Sequence, residues 1–205
     1  MSRRTKIAKH LKEAWDEVIT ECYCTGQLNT EFDLQANLYA ALKSRLCVDG
    51  KPKRHIFMEV GIELAEGGFI RPDIIVCSDK EVLSVIEIKF GPRVLPVQGK
   101  DMQSISSFAS DASITITNER YRGKPLPPKK FTVSDSVLFV WAGVHAGDAI
   151  QSEVWKSDEF KNHLFLELHA VTHDSEDPSV VSFTNVGAKP VAEVQAINGE
   201  QHEAL

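Results

Sequence analysis

The chain has 205 residues, 42% hydrophobic and 25% charged, which suits one globular domain with a sizeable core and excludes a low-complexity or disordered chain. A net charge of −6 argues against a protein that coats nucleic acid through bulk charge. No apolar run approaches the about 20 residues of a membrane-spanning helix.

The basic N-terminus lacks the apolar stretch of a secretory signal. Cys22, Cys24, Cys47 and Cys77 have no paired CxxC spacing, so reduced thiols in a cytoplasm are expected rather than a zinc cluster. Charge is unevenly spread. Arg3, Arg4, Lys6, Lys9 and Lys12 stand without an acid in residues 1–12, and Arg120, Arg122, Lys124, Lys129 and Lys130 in residues 120–130. Either segment suits a phosphate backbone or a solvated surface.

Residues 4–24 read as a helix with Ile7, Leu11, Trp15, Val18 and Ile19 on one face, broken by Gly26 and Asn29. Thr30 is a good N-cap for a second helix to about Leu46, with Phe32, Leu34, Leu38, Ala41, Leu42 and Leu46 apolar. Asp49 to Pro52 is a turn. From His55 to Leu64 apolar residues alternate as one strand, which leaves Glu59 and Glu63 on the other side as surface acids, with a further ligand at Glu59 the alternative. After the turn at Gly67-Gly68, Phe69 to Cys77 is a second strand, and Val82 to Phe90 a third.

Met102, Ile105, Phe108 and Ala109 recur at helical spacing in residues 97–110, and residues 118–130 read as a loop. Ser136 to Val144 has the continuous apolar character of a central strand. A weaker helix is expected at 148–162 and another strand at Leu164 to Thr172, where His163, His169 and His173 read as surface or partly packed. Residues 1–175 thus form a single domain. Residues 176–205 are an acidic extension with one short strand candidate, Val180 to Val186, and are a candidate for partial disorder. Three strands in a meander, then a helix crossing to a fourth, define an α+β fold with a central mixed sheet flanked by helices.

The chemistry concentrates on the hairpin Ile70-Arg71-Pro72-Asp73-Ile74-Ile75-Val76 and Leu83-Ser84-Val85-Ile86-Glu87-Ile88-Lys89. If its polar turn, Ser78-Asp79-Lys80-Glu81, centres on Lys80, Asp73 and Glu87 lie opposite each other. Directly opposed Cβ atoms are about 4.5–5.5 Å apart, close enough for both carboxylates to hold one metal ion. Lys89 is two residues from Glu87 and shares its face. An acidic pair with a neighbouring lysine is the apparatus of metal-assisted phosphodiester hydrolysis. The plainer alternative is a solvent-facing ion-pair cluster.

Pro72-Asp73, Glu87-Ile88-Lys89 and Glu31 on the preceding helix make residues 30–142 resemble the core of the PD-(D/E)xK nuclease superfamily, with its restriction-endonuclease-like fold. The resemblance implies a Mg²⁺-dependent deoxyribonuclease, with Mn²⁺ as substitute. Asp73, Glu87 and the backbone carbonyl of Ile88 would be metal ligands. Lys89 would orient or help deprotonate the attacking water, and Glu31 would be the superfamily's helical acid, although the helix dipole alone favours an acid there. Arg71 would contact the scissile strand or pair with Glu63, and Gln103, on the helix after the sheet, would aim at the site. Arg120, Arg122 and Lys124 would meet the DNA backbone, and a homodimer is possible. The alternative is a catalytically inactive nuclease-fold module that binds DNA or a protein partner.

No GxxxxGK[ST], GxGxxG or GxSxG motif is present, which leaves nucleotide hydrolysis, dinucleotide binding and serine-esterase chemistry without support.

Overall fold

The computed structural model describes residues 3–48, 54–96, 99–116, 123, 127–133, 136–150, 163–174, 176–186 and 189–195. Helix α1 (Arg3–Val18) runs into a π-helical turn (Ile19–Tyr23), and α2 (Glu31–Leu46) follows. Thr30 caps α2 reciprocally: its hydroxyl accepts from Asp33 N–H, while the Asp33 carboxylate accepts from Thr30 N–H, both at 3.1 Å. Leu34, Leu38, Ala41, Leu42 and Leu46 of α2 are buried, whereas Phe32 is 63% exposed on the outer side of the first turn, off the apolar stripe. No helix among the described residues is long and apolar enough to cross a membrane.

Two sheets form. The larger has the order β1-β4-β5-β8-β9-β10-β11, and the smaller β3-β2-β6-β7. The single strand expected over His55–Leu64 is two, β1 (His55–Met58) and β2 (Ile62–Leu64). Between them Glu59 takes φ 52, and Gly61 lies against the Phe69 ring, where a Cβ would stand 2.4 Å from Cζ. The kink sends Ile56 and Met58 to one core and Ile62 to the other.

The strand expected over Phe69–Cys77 divides the same way. β3 (Phe69–Ile70) joins β2 in the small sheet, while β4 (Ile74–Cys77) pairs antiparallel with β1 and with β5 (Val82–Gly91). After β5 come α3 (Gly99–Ala109), β6 (Ser113–Ile116) and β7 (Lys129–Thr132), so the expected loop ends in a strand. β8 (Leu138–His145) lies parallel to β5, and β9 (Leu164–Val171) parallel to β8. Residues 148–150 are not helical, and 151–162 lie outside the described residues.

The central sheet does not stop at residue 175. β10 (Ser179–Val186) pairs antiparallel with β9, from Ser179↔Val171 to Asn185↔Phe165, and β11 (Lys189–Gln195) pairs with β10. Val180, Val181, Ser182 and Thr184 are buried, so this part of the acidic segment belongs to the core. Alternate side chains of the parallel strands feed two cores. Ile86, Ile88, Val140, Leu166 and Leu168 meet α1 and α2, while Val85, Phe139, Trp141 and Phe165 join Ile105 and Phe108 of α3 and the small sheet. Each large side chain so buried contributes about 1.5–3 kcal/mol.

Candidate active site

The register Ile74↔Ile86 sets Asp73, just before β4, against Glu87 in β5, as a turn centred on Lys80 requires. The pairing slips only beyond Val76, next to the turn, so the irregularity leaves the far end of the hairpin untouched. Asp73 Oδ2 accepts from the backbone N–H of Ile88 at 2.6 Å. The Asp73 and Glu87 carboxyls face each other across the hairpin, and a hydrogen bond between two carboxyls needs a proton on one of them.

Burial pushes the Asp73 carboxyl up to about 6, against the Ile88 N–H and Lys89, with Glu31 and Glu59 adding to the rise. Glu87 is pushed up to about 9 by burial, then by Asp73 and Asp101. A buried carboxyl forced against a partly buried one is the arrangement in which one is held neutral unless a cation joins them.

Lys89 completes the cluster. Its Nζ lies 3.4 Å from Asp101 Oδ1 and 3.6 Å from Glu31 Oε1. Burial works to lower its pKa, but Asp101, Glu31 and Asp73 together hold it above the usual lysine value. Glu31 Oε2 also accepts from Phe90 N–H at 3.2 Å, which ties the start of α2 to β5. The structure therefore gathers Asp73, Glu87, Lys89 and Glu31 at one place.

The other candidates lie apart from it. Arg71 is exposed and makes no ion pair with Glu63 among the described residues. Gln103 is exposed on α3, and its carbonyl accepts from Ser107. Arg120, Arg122 and Lys124 fall outside the described residues.

Three residues outside the candidate set belong to the cluster. Asp101, buried at the start of α3, accepts from Trp141 Nε1 at 3.3 Å with the oxygen that does not face Lys89. Gln35 donates through Nε2 to Asp73 O at 2.9 Å and to Glu59 Oε1 at 3.2 Å. Glu59, expected beside Glu63 on the surface, is carried to Asp73 by the positive-φ kink, and its N–H donates to Asp73 O at 3.0 Å. One signal was available: Gln35 follows Glu31 by four residues and so shares its helix face.

The donor set fits a hard divalent cation. Asp73 and Glu87 offer adjacent carboxylate oxygens, and Mg²⁺ takes one or two carboxylates and keeps several waters. No group of three His, Cys, Asp or Glu side chains among the described residues has the spacing of an all-protein metal cage. The cost of holding these two carboxyls together is what a cation between them would relieve.

The fold is mixed α+β, a central mixed sheet flanked by helices. Two solved structures share the fold. NucC of E. coli MS115-1 in its cAAA-bound form aligns with a TM-score of 0.50 at 12% identity, over 95% of this chain and 84% of that one. NucC of P. aeruginosa ATCC27853, also cAAA-bound, aligns with a TM-score of 0.50 at 9% identity, over 95% and 85%. No family model and no curated protein matches the sequence.

Proposed function

We propose that the chain is a metal-dependent nuclease of the PD-(D/E)xK type that hydrolyses DNA phosphodiester bonds. The observation that carries this reading is the opposed Asp73–Glu87 pair, Glu87 buried and Asp73 partly so, with the Lys89 ammonium beside it. The likeness to NucC, a nuclease, supports the same class of reaction at the level of the fold.

Asp73, Glu87 and the backbone carbonyl of Ile88 would hold Mg²⁺, or Mn²⁺ in its place. The bound ion supplies a Lewis acid that polarises the phosphoryl group and lowers the pKa of a water. Both carboxyls would have to be ionised to hold the ion, so binding would tighten as pH rises. Lys89, held above the usual lysine value, enters as a cation. It orients the attacking water and offsets charge on the phosphorane-like transition state rather than taking the water's proton. Asp101 and Glu31 keep its ammonium in place, and Ile88 N–H fixes the Asp73 carboxylate.

The test is cleavage of linear, nicked, branched and single-stranded DNA in Mg²⁺ or Mn²⁺, with Asp73→Ala and Lys89→Ala beside the wild type. Metal-dependent cutting that disappears in Asp73→Ala, and slows in Lys89→Ala with metal binding intact, is the expected result. No cutting and no metal-dependent stabilisation would leave a nuclease-fold module that binds DNA or a protein partner without catalysis.

A further inference from the structure

We infer that Trp141 is a positioning residue of this site: its indole, seated on the bare backbone of Gly143 and backed by a buried histidine pair, fixes Asp101 against Lys89. The inference rests on the nuclease reading for the task that Lys89 performs, though not for the geometry.

The parallel registers align Glu87 with Trp141 and Glu167, Lys89 with Gly143 and His169, and Gly91 with His145. Side chains at matched positions of adjoining strands share a face. The face that carries the acidic pair therefore continues across β8 and β9 as Trp141, Gly143, His145, Glu167 and His169. All four side chains there are buried, Trp141 and His169 at 0% exposure, Glu167 at 1% and His145 at 2%.

Gly143 is the vacancy that admits the indole. A Cβ there would stand 2.2 Å from Cη2 of Trp141 and 2.8 Å from Cζ2 and Cζ3, so any larger residue would expel the ring. The indole also lies 5.1 Å from the His169 ring and 6.1 Å from that of His145, centroid to centroid. Its Nε1 is thereby aimed at Asp101 Oδ2, while Oδ1 of the same carboxylate faces Lys89.

The histidine pair is ordered by its own hydrogen bonds. His145 Nδ1 lies 2.9 Å from its neighbour's carbonyl, Ala146 O, and must carry a hydrogen to donate to it. His145 Nε2 is then an acceptor, which makes His169 Nδ1 the donor across their 2.8 Å contact. His169 Nε2 lies 3.6 Å from Glu167 Oε2, outside hydrogen-bond reach. Apolar side chains would fill the same space without the cost of burying ionisable groups. Directional bonds do what apolar filler does not: they fix the orientation of the rings against which the indole rests.

Lys89 is gripped from two sides. Glu31 holds it from the half-exposed side and Asp101 from the buried side. Without the indole N–H, Asp101 keeps a buried oxygen with one partner fewer and is free to rotate away. A displacement of about 1 Å in a catalytic group costs about 10²-fold in rate.

Trp141→Phe keeps an aromatic ring over Gly143 and removes the N–H. Asp101→Asn keeps an oxygen for the indole and removes the charge, and Asp101→Ala removes both. Three readings separate the possibilities: kcat and KM for Mg²⁺-dependent cleavage of linear duplex DNA, the indole ¹H–¹⁵N resonance of Trp141, and the rate of Lys89 acetylation by acetic anhydride followed by mass spectrometry. Trp141→Phe should lower kcat about 10- to 100-fold, the range for outer-shell partners, with KM unchanged and Lys89 acetylated faster.

The Trp141 indole proton should be protected from exchange in the wild type and in Asp101→Asn, and lose protection in Asp101→Ala. Wild-type turnover in Trp141→Phe, or Lys89 acetylation that neither Trp141→Phe nor Asp101→Ala alters, overturns the inference. A wild type that cuts no DNA refutes the nuclease reading instead, and the resonance and acetylation rates still decide the brace.

Discussion

Replacing Glu87 with Gln should stabilise the metal-free protein while abolishing metal binding and turnover. In the folded state Glu87 is pushed from 4.5 up to about 9 by burial, Asp73 and Asp101, and Asp73 from 3.8 up to about 6. A carboxyl raised on folding keeps a proton that the unfolded chain has released. Its contribution is therefore intact below the unfolded pKa and lost as pH rises, here between about 4.5 and about 9. Holding that proton at pH 8 costs the wild type about 1.4 kcal/mol for each pH unit above about 4.5. Gln has the shape of Glu, donates to Asp73 and has no proton to retain, so most of that cost goes. Chelated Glu87→Gln should gain about 2–4 kcal/mol over chelated wild type at pH 8 and nothing at pH 4. Urea denaturation after chelation, at both pH values, measures the difference. Added Mg²⁺ should then stabilise the wild type and leave the variant unmoved. A variant less stable than wild type at pH 8 without metal would refute the picture of two carboxyls held together against their repulsion.

Gly143→Ala drives a methyl into the Trp141 ring, and overpacking of this kind costs about 1–3 kcal/mol. Chemical denaturation should show that cost in the wild type and little of it in a Trp141→Leu background; the full cost in both would place the clash elsewhere. Burial lowers His145 below 6.5, so the unfolded chain takes up a proton that the folded chain resists. The His145 contribution is complete above about pH 6.5 and lost as pH falls through the lowered value. His145→Gln should therefore lose less stability than wild type between pH 7 and pH 5, and an equal loss would show that His145 titrates normally. Cys47 is exposed, whereas Cys77 is buried and its thiol pushed up to about 12. Iodoacetamide on the native protein should modify Cys47 and reach Cys77 only on unfolding, as peptide mass spectrometry would record; early modification of Cys77 would mean that β4 opens in the native state.

The parts of the fold that could be read from the sequence are those set by neighbours along the chain. Thr30 announces the start of α2 as an N-cap, which the structure completes with Asp33 as a capping box. The equal spacing of Asp73 and Glu87 about Lys80 predicts their opposition, which the register of β4 and β5 produces. What escaped the reading has long-range causes. The alternation from Ile56 to Leu64 runs unbroken through Glu59, so nothing local marks the kink that splits β1 from β2, and the kink depends on Phe69 covering Gly61. The strand candidate Val180 to Val186 is borne out as β10, but the acids after His173 disguise that it extends the central sheet. His169 reads as a surface histidine because its partner, His145, arrives from another strand.

The same division runs through the site. A hairpin determines which of its own residues face each other, so the Asp73–Glu87 pair can be read from spacing. The charge that the pair carries is a sum over other elements. Glu31 comes from the start of α2, Glu59 from the kink after β1, and Asp101 from α3 under the direction of Trp141 in β8. Strip these away and the hairpin keeps its geometry, but Lys89 loses both carboxylates that hold it. Substitutions at Asp73 or Glu87 should therefore remove metal and activity together. Substitutions at Trp141 and Asp101 should leave the metal pair in place and change only how well Lys89 meets the reacting phosphate.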